Sequence, residues 1–273
     1  MLANLLIGLR EGLEAALIVS ILLAYLTRTG RRAMAPAVWG GVVAAFVLSV
    51  GTGAVLQATS NELPDRASAA FSGTMSLIAV ALVTWMVFWM ARRARLLRAH
   101  LEGEMDRALA GGPWALAAIS FVAVIREGLE TALFLWSGAT STGSGSVTVP
   151  LLGAFVGLLI SAGLGVALYR GAIRLDLGRL FLWSGAALVV IAAGVLSYAI
   201  GEFVELGWLP GEGAVAFNVS SVLAPDGAIA AVLRGLLNFR SVTLWPVFIA
   251  WIAYLVPVMV AFRNVTRRPV PAR

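Results

Sequence analysis

The sequence predicts an all-α integral membrane protein: seven transmembrane helices in a 3+3 inverted repeat plus one, N-terminus outside and C-terminus cytoplasmic. Three observations carry that expectation. Of the 273 residues, 60% are hydrophobic and only 12% are charged, with a mean hydropathy of +0.92; a soluble domain carries about 25% charged residues. Seven runs are long and apolar enough to cross a bilayer. Arg10-Glu11-Gly12-Leu13-Glu14 recurs as Arg126-Glu127-Gly128-Leu129-Glu130, each copy inside such a run.

A span needs about twenty mostly apolar residues. On that criterion helices are expected at 2–26, 37–58, 67–91, 114–139, 150–169, 179–200 and 244–262. The chain reads as a single membrane domain over 1–273, with repeat 1 at 1–91 and repeat 2 at 114–200. An outer loop with a short helix follows at 201–243, before the last span at 244–262. The first run lacks a basic leader and has charges inside its apolar stretch, so it reads as a retained span and not a signal peptide. The Gly/Ser-rich stretch 140–146 reads as a flexible loop. Residues 222–237 have apolar spacing suited to a short helix lying on or dipping into the bundle. Trp208 and Trp245 suit the interfacial aromatic belt.

Loop charges set the orientation. Arg28, Arg31, Arg32, Arg92, Arg93, Arg95, Arg98, Arg107, Arg170, Arg174, Arg179, Arg263, Arg267, Arg268 and Arg273 fall on one side. The other side has Arg66, Arg234 and Arg240 with six carboxylates: Glu62, Asp65, Glu202, Glu205, Glu212 and Asp226. Positively charged loops stay in the cytoplasm, which places the N-terminus outside. The pI of 10.9 therefore reads as an orientation signal and not as nucleic-acid binding. All twenty basic residues are arginine, which stays charged. With no cysteine, disulfides and thiolate metal sites are excluded. The one histidine, His100, lies among loop arginines and is not read as a ligand.

The repeat extends beyond the charged motif. Leu9 to Leu17 matches Ile125 to Leu133 with seven identities at offset 116. Ser49-Val50-Gly51-Thr52-Gly53 matches Ser161-Ala162-Gly163-Leu164-Gly165, and Ser72-Gly73 matches Ser184-Gly185, both at offset 112. Three spans per copy turn the second copy upside down, and inverted repeats in transporters meet at a midplane site. Met75, Met86 and Met90 read as packing. Gly153 and Gly157 form a GxxxG suited to a dimer or to internal packing.

An ionisable group at mid-membrane costs roughly 2.5–3.5 kcal/mol even on the lenient insertion scale, so it faces protein or water and marks a site. Glu11 and Glu14 share a helical face, and Arg10 can meet Glu14. Gly12 and Gly128 leave room beside the acidic face for a second helix or an ion. Four carboxylates and two guanidiniums suit a hard cation such as Mg, Ca, Mn or ferric iron; a zinc or ferrous site would usually recruit histidine. The plain alternative is an internal salt-bridge cluster, but a buried ion pair is weak evidence for stability. Duplication at related positions favours function.

The two Arg-Glu-Gly-Leu-Glu motifs, in the first and fourth of seven spans, resemble the oxidase-dependent iron transporter family of bacterial EfeU-type and fungal high-affinity iron permeases. The resemblance covers essentially the whole chain. It implies iron import, with Glu11, Glu14, Glu127 and Glu130 as ligands, Arg10 and Arg126 as motif partners, and iron (Fe2+ or Fe3+) as substrate, not as a permanent cofactor. It also implies a plasma-membrane location and an extracytoplasmic iron-oxidising partner: a haem peroxidase, a cupredoxin-like protein or a multicopper oxidase. Glu202-Phe203-Val204-Glu205 resembles acidic outer motifs of the fungal members, and with Glu62 and Asp65 it is a candidate recruitment station or a solvated helix end. The other readings are a permease for lead or manganese, and a membrane-embedded carboxylate iron oxidase. The latter class usually adds Glu-x-x-His ligands, absent here.

Overall fold

The computed structural model describes residues 2–93, 97–141, 148–170, 177–221, 227, 230, 233–234 and 237–267. Its helices are α1 (Leu2–Arg28), α2 (Ala35–Glu62), α3 (Asp65–Arg93), α4 (Leu97–Ala110), α5 (Gly112–Ser141), α6 (Thr148–Tyr169), α7 (Leu177–Glu205) and α8 (Trp245–Arg267). The seven runs expected as spans are helical, each longer than expected by two to five residues at one end or both, except that Leu244 is strand and the last helix begins at Trp245. Local chemistry sets the breaks. Gly30, at φ 73°, closes α1 while the amide of Arg31 bonds Leu26 O at 2.8 Å. Leu63-Pro64 ends α2, since the residue before proline is extended.

Among the described residues, five helices are long and apolar enough to cross a membrane: Arg32–Glu62, Asp65–Ala91, Thr148–Tyr169, Phe181–Glu205 and Trp245–Thr266. The chain is thus a mostly helical, multi-pass membrane protein. Helices α1 and α5 have the length but each carries three ionisable residues of the repeated motif.

Two segments differ from the sequence reading. The region after α3, read as a loop, contains α4, whose Met105 and Ala108 are buried against α1 and α5. Its arginines and acids hid a short amphipathic helix, and His100 lies within it. The region 201–243, read as a loop with one helix, contains an antiparallel ribbon, β1 (Val215–Asn218) with β2 (Val242–Leu244). Most of the helix expected at 222–237 lies outside the described residues, as do 142–146 of the Gly/Ser-rich stretch, whose first two residues belong to α5, and Arg95, Arg174, Arg268 and Arg273.

Two parallel helix pairs dominate the bundle. In α1 against α6, Gly8 faces Ala154, Gly157 faces Leu5 and Leu9, and Gly12 faces Ser161. In α2 against α5, Gly41 faces Ala117 and Gly128 faces Ser49. Each interface closes on glycine, as membrane helices do when backbones must approach closely. Gly157, read as suited to either a dimer or internal packing, is taken up internally. Helices α1 and α5 also cross each other, with Asn4 Nδ2 donating to Leu135 O at 3.3 Å, and α3 packs on α7, which packs on α8. The apolar core splits into two clusters. One joins Ile7, Val80, Met86, Phe134, Leu188 and Phe262. The other joins Leu22, Leu26, Val38, Met105, Leu116 and Val124. Along the chain the motif residues fall between Ile7 of the first cluster and Ile18 of the second on α1, and between Val124 of the second and Phe134 of the first on α5.

Candidate metal centre

Glutamates from two helices meet in that intervening layer. Glu11 is 1% exposed, Glu14 3%, Glu127 6% and Glu130 7%. One carboxylate oxygen from each of Glu11, Glu14 and Glu127 lies within 4.8 Å of the others. Oxygens bound about 2.0–2.6 Å from a common cation stand at most about 4–5 Å apart, so this spacing suits one ion. Glu130 stands outside that triad, with its Oε1 3.1 Å from Arg126 Nε.

The motif arginines differ in their surroundings. Arg10 is fully enclosed: Nη1 donates to Glu11 Oε1 at 2.9 Å and to Met86 Sδ at 3.2 Å, and Nη2 lies 3.0 Å from Glu14 Oε1. Arg126 is one-third exposed, and its guanidinium lies 4.4 Å from the Trp89 ring and 5.1 Å from the Trp85 ring. Sequence reasoning found the arginines but missed these neighbours. Met86 was assigned to packing, and the tryptophans carried no signal.

The Oε2 atoms of Glu11, Glu127 and Glu130 are buried without a hydrogen-bond partner, while Glu14 Oε1 is ion-paired with Arg10. Buried polar atoms in folded proteins are nearly all satisfied, and an orphan acceptor costs about 1–3 kcal/mol. Three orphan oxygens in one layer are what a cation would satisfy. A groove of about 1050 Å³ between α2 and α6 reaches Glu11 and Glu127; its walls, including Phe46, Leu135 and Leu158, are mostly apolar.

The remaining candidates are not brought to this layer. Glu202 lies in the last turn of α7, half-buried, and shares a hydrogen bond with Tyr198. Glu205 is exposed, 3.7 Å from Arg240. Glu62 ends α2, Asp65 begins α3, and both are exposed.

By class this is a multi-pass helical membrane protein that gathers buried carboxylate oxygens, the donor type hard cations take, from two helices. Residues 1–267 match the iron permease FTR1 family, and the chain belongs to that family. It is similar to the ferrous iron permease EfeU of Escherichia coli O6:H1, 39% identical over 96% of this chain and 95% of the relative. The ferrous iron permease EfeU of Yersinia pestis is 36% identical over 96% of this chain and 93% of its own. A relative in Escherichia coli K12, 38% identical over 96% of this chain and 95% of its own, is named a putative inactive ferrous iron permease EfeU. No solved structure matches this chain.

Proposed function

We propose that this chain imports iron across the plasma membrane, binding the ion in transit between Glu11, Glu14, Glu127 and Glu130. The observation that carries the reading is the buried Glu11–Glu14–Glu127 triad, within 4.8 Å and with orphan oxygens. Arg10 and Arg126 offset part of the negative charge when the ion is absent, leaving a net charge near −2 if all six groups are ionised. That balance keeps binding weak enough for release.

The chain crosses the membrane seven times with its N-terminus outside, following the loop arginines. Residues 1–91 and 114–200 form inverted repeats. The reciprocal pairings support this: Gly12 of α1 meets Ser161 of α6, and Gly128 of α5 meets Ser49 of α2. Glu202, Glu205, Glu62 and Asp65 collect iron at the outer face, where an iron-oxidising partner delivers it.

Iron uptake into vesicles containing the purified protein tests the assignment. Single Glu11→Gln, Glu14→Gln and Glu127→Gln variants keep the shape and lose a charged ligand, so uptake should fall by about tenfold or more, a change of about 1.4 kcal/mol. Full uptake by any of the three removes that residue from the site. Manganese or lead competing as well as iron would change the substrate and leave the site standing.

A further inference from the structure

Above the carboxylates, on the proposed outer side, the inner faces of four helices are layered. Nearest the glutamates is an apolar layer: Ile7, one turn from Glu11, and Phe134, one turn from Glu130, with Val80, Val83, Leu188 and Ile191. The space they enclose, with Ser137 on its rim, is only about 20 Å³, room for about one water and too small for a hydrated ion. One turn further out come Asn4 (1% exposed), Ser76 (0%) and Ser137 (1%). Asn4 stands seven residues from Glu11, and Ser137 seven from Glu130, so each shares a helix face with its glutamate about 10 Å away. Beyond them the Tyr198 hydroxyl is hydrogen-bonded to both Ser72 and Glu202.

Buried hydroxyls in the bundle bond within their own helix, across helices, or both. Ser49 and Ser120 donate to the carbonyl four residues back, Ala45 at 2.8 Å and Leu116 at 2.6 Å, and Ser161 donates both to Gly157 O at 2.8 Å and across to Leu9 O of α1 at 2.7 Å. Ser76 pairs with Ser137 across α3 and α5 at 3.1 Å, and Asn4 reaches across from α1 to α5. A Cβ on Gly138 would come within 2.7 Å of Asn4 Oδ1, so the glycine makes room for this amide. Bonds that span helices can be exchanged for an incoming ligand when the helices part. The other approaches to the cluster are mostly apolar: the groove walls on one side, and Leu22, Leu26, Met105 and Leu116 towards the other end.

We propose that Asn4, Ser76 and Ser137 form a neutral-oxygen station for hydrated iron on its outer route, between Glu202 and the carboxylate cluster, closed from the cluster by Ile7 and Phe134. The inference rests on the permease reading and on the outward N-terminus. A hard cation keeping part of its water shell takes hydroxyl and amide oxygens readily, and a neutral station holds it less tightly than the carboxylates. Iron therefore moves inward once the apolar layer opens.

The absence of native cysteine supplies the test. Ser76→Cys and Ser137→Cys, in proteoliposomes, are exposed from the outer side to a small, charged, membrane-impermeant thiol reagent. Both should be labelled, with iron slowing the reaction by about tenfold, whereas Ser120→Cys, fully buried on α5 between Leu116 and Val124 of the other core cluster, stays inert. Phe134→Ala should speed iron entry without changing equilibrium iron binding in detergent. Iron uptake with both cysteines unreactive, or labelling that iron does not slow, overturns the route. Wild-type vesicles that take up no iron overturn the permease reading instead.

Discussion

At the residue scale, one five-residue motif is set in two different environments. Both glutamate pairs were legible from spacing alone, because residues three and four apart share a helix face. The neighbours were not, since Met86, Trp85 and Trp89 come from α3 and nothing in a local pattern names a distant partner. The difference separates the two arginines. Arg10 serves Glu11, Glu14 and Met86 at once from a sealed position, a task for a planar fork with several donors. A single ammonium cannot reproduce it. Arg126 is partly exposed and lies over two rings, and a lysine there can still reach Glu130. Arg10→Lys should therefore lose more uptake and more thermal stability than Arg126→Lys. Arg10→Leu, which leaves buried carboxylates without counter-charge, should destabilise the fold by about 3–5 kcal/mol. Melting curves in detergent beside uptake rates check the ranking, and equal losses for the two lysine variants would refute it.

At the element scale, close approach between helices places the carboxylates. The sequence marked Gly12 and Gly128 as points of approach and aligned Ser49 with Ser161, but not that each serine would lie against the other copy's glycine. Membrane helices are apolar on all sides and lipid is as apolar as leucine, so pairing leaves no amphipathic stripe to read. Helix α4 was missed for the opposite reason: its charge resembles a loop, and among its described residues Met105 and Ala108, three apart, betray a buried face. The α2–α5 contact is directly testable. Replacing glycine by alanine within a helix gains about 0.5–1 kcal/mol, but a Cβ on Gly128 would collide with the Ser49 side chain. Overpacking of this kind costs about 1–3 kcal/mol, so the collision wins. Gly128→Ala should lower the melting temperature and iron uptake together by shifting Glu127. Adding Ser49→Gly removes the obstruction and should restore much of both, less the cost of about 1 kcal/mol for a glycine inside α2. A double variant no better than the single one would mean that this contact does not position the site.

At the scale of the whole molecule, the positions of the helices were legible because a bilayer demands runs of fixed length, and all seven expected runs are helical. The ribbon of β1 and β2 was not, because its strands are only four and three residues long. The carboxylates lie buried mid-helix, between Ile7 and Ile18 on α1 and between Val124 and Phe134 on α5, so an ion held there carries its charge through the electric field. Moving one charge across 100 mV is worth about 2.3 kcal/mol. An ion imported alone gains about 4.6 kcal/mol if divalent and about 7 if trivalent, supporting accumulation of roughly a few thousandfold or a hundred thousandfold. Coupled export of protons would lower the charge moved per iron and flatten that dependence. Vesicles holding potassium gradients of different size, made permeable to potassium, set the potential while the final iron ratio is measured. The slope of its logarithm against potential should be that of two or three charges when iron crosses alone. Accumulation that ignores the potential would show that the charge is fully compensated during transport. The carboxylates would then have to exchange protons with the ion on every cycle.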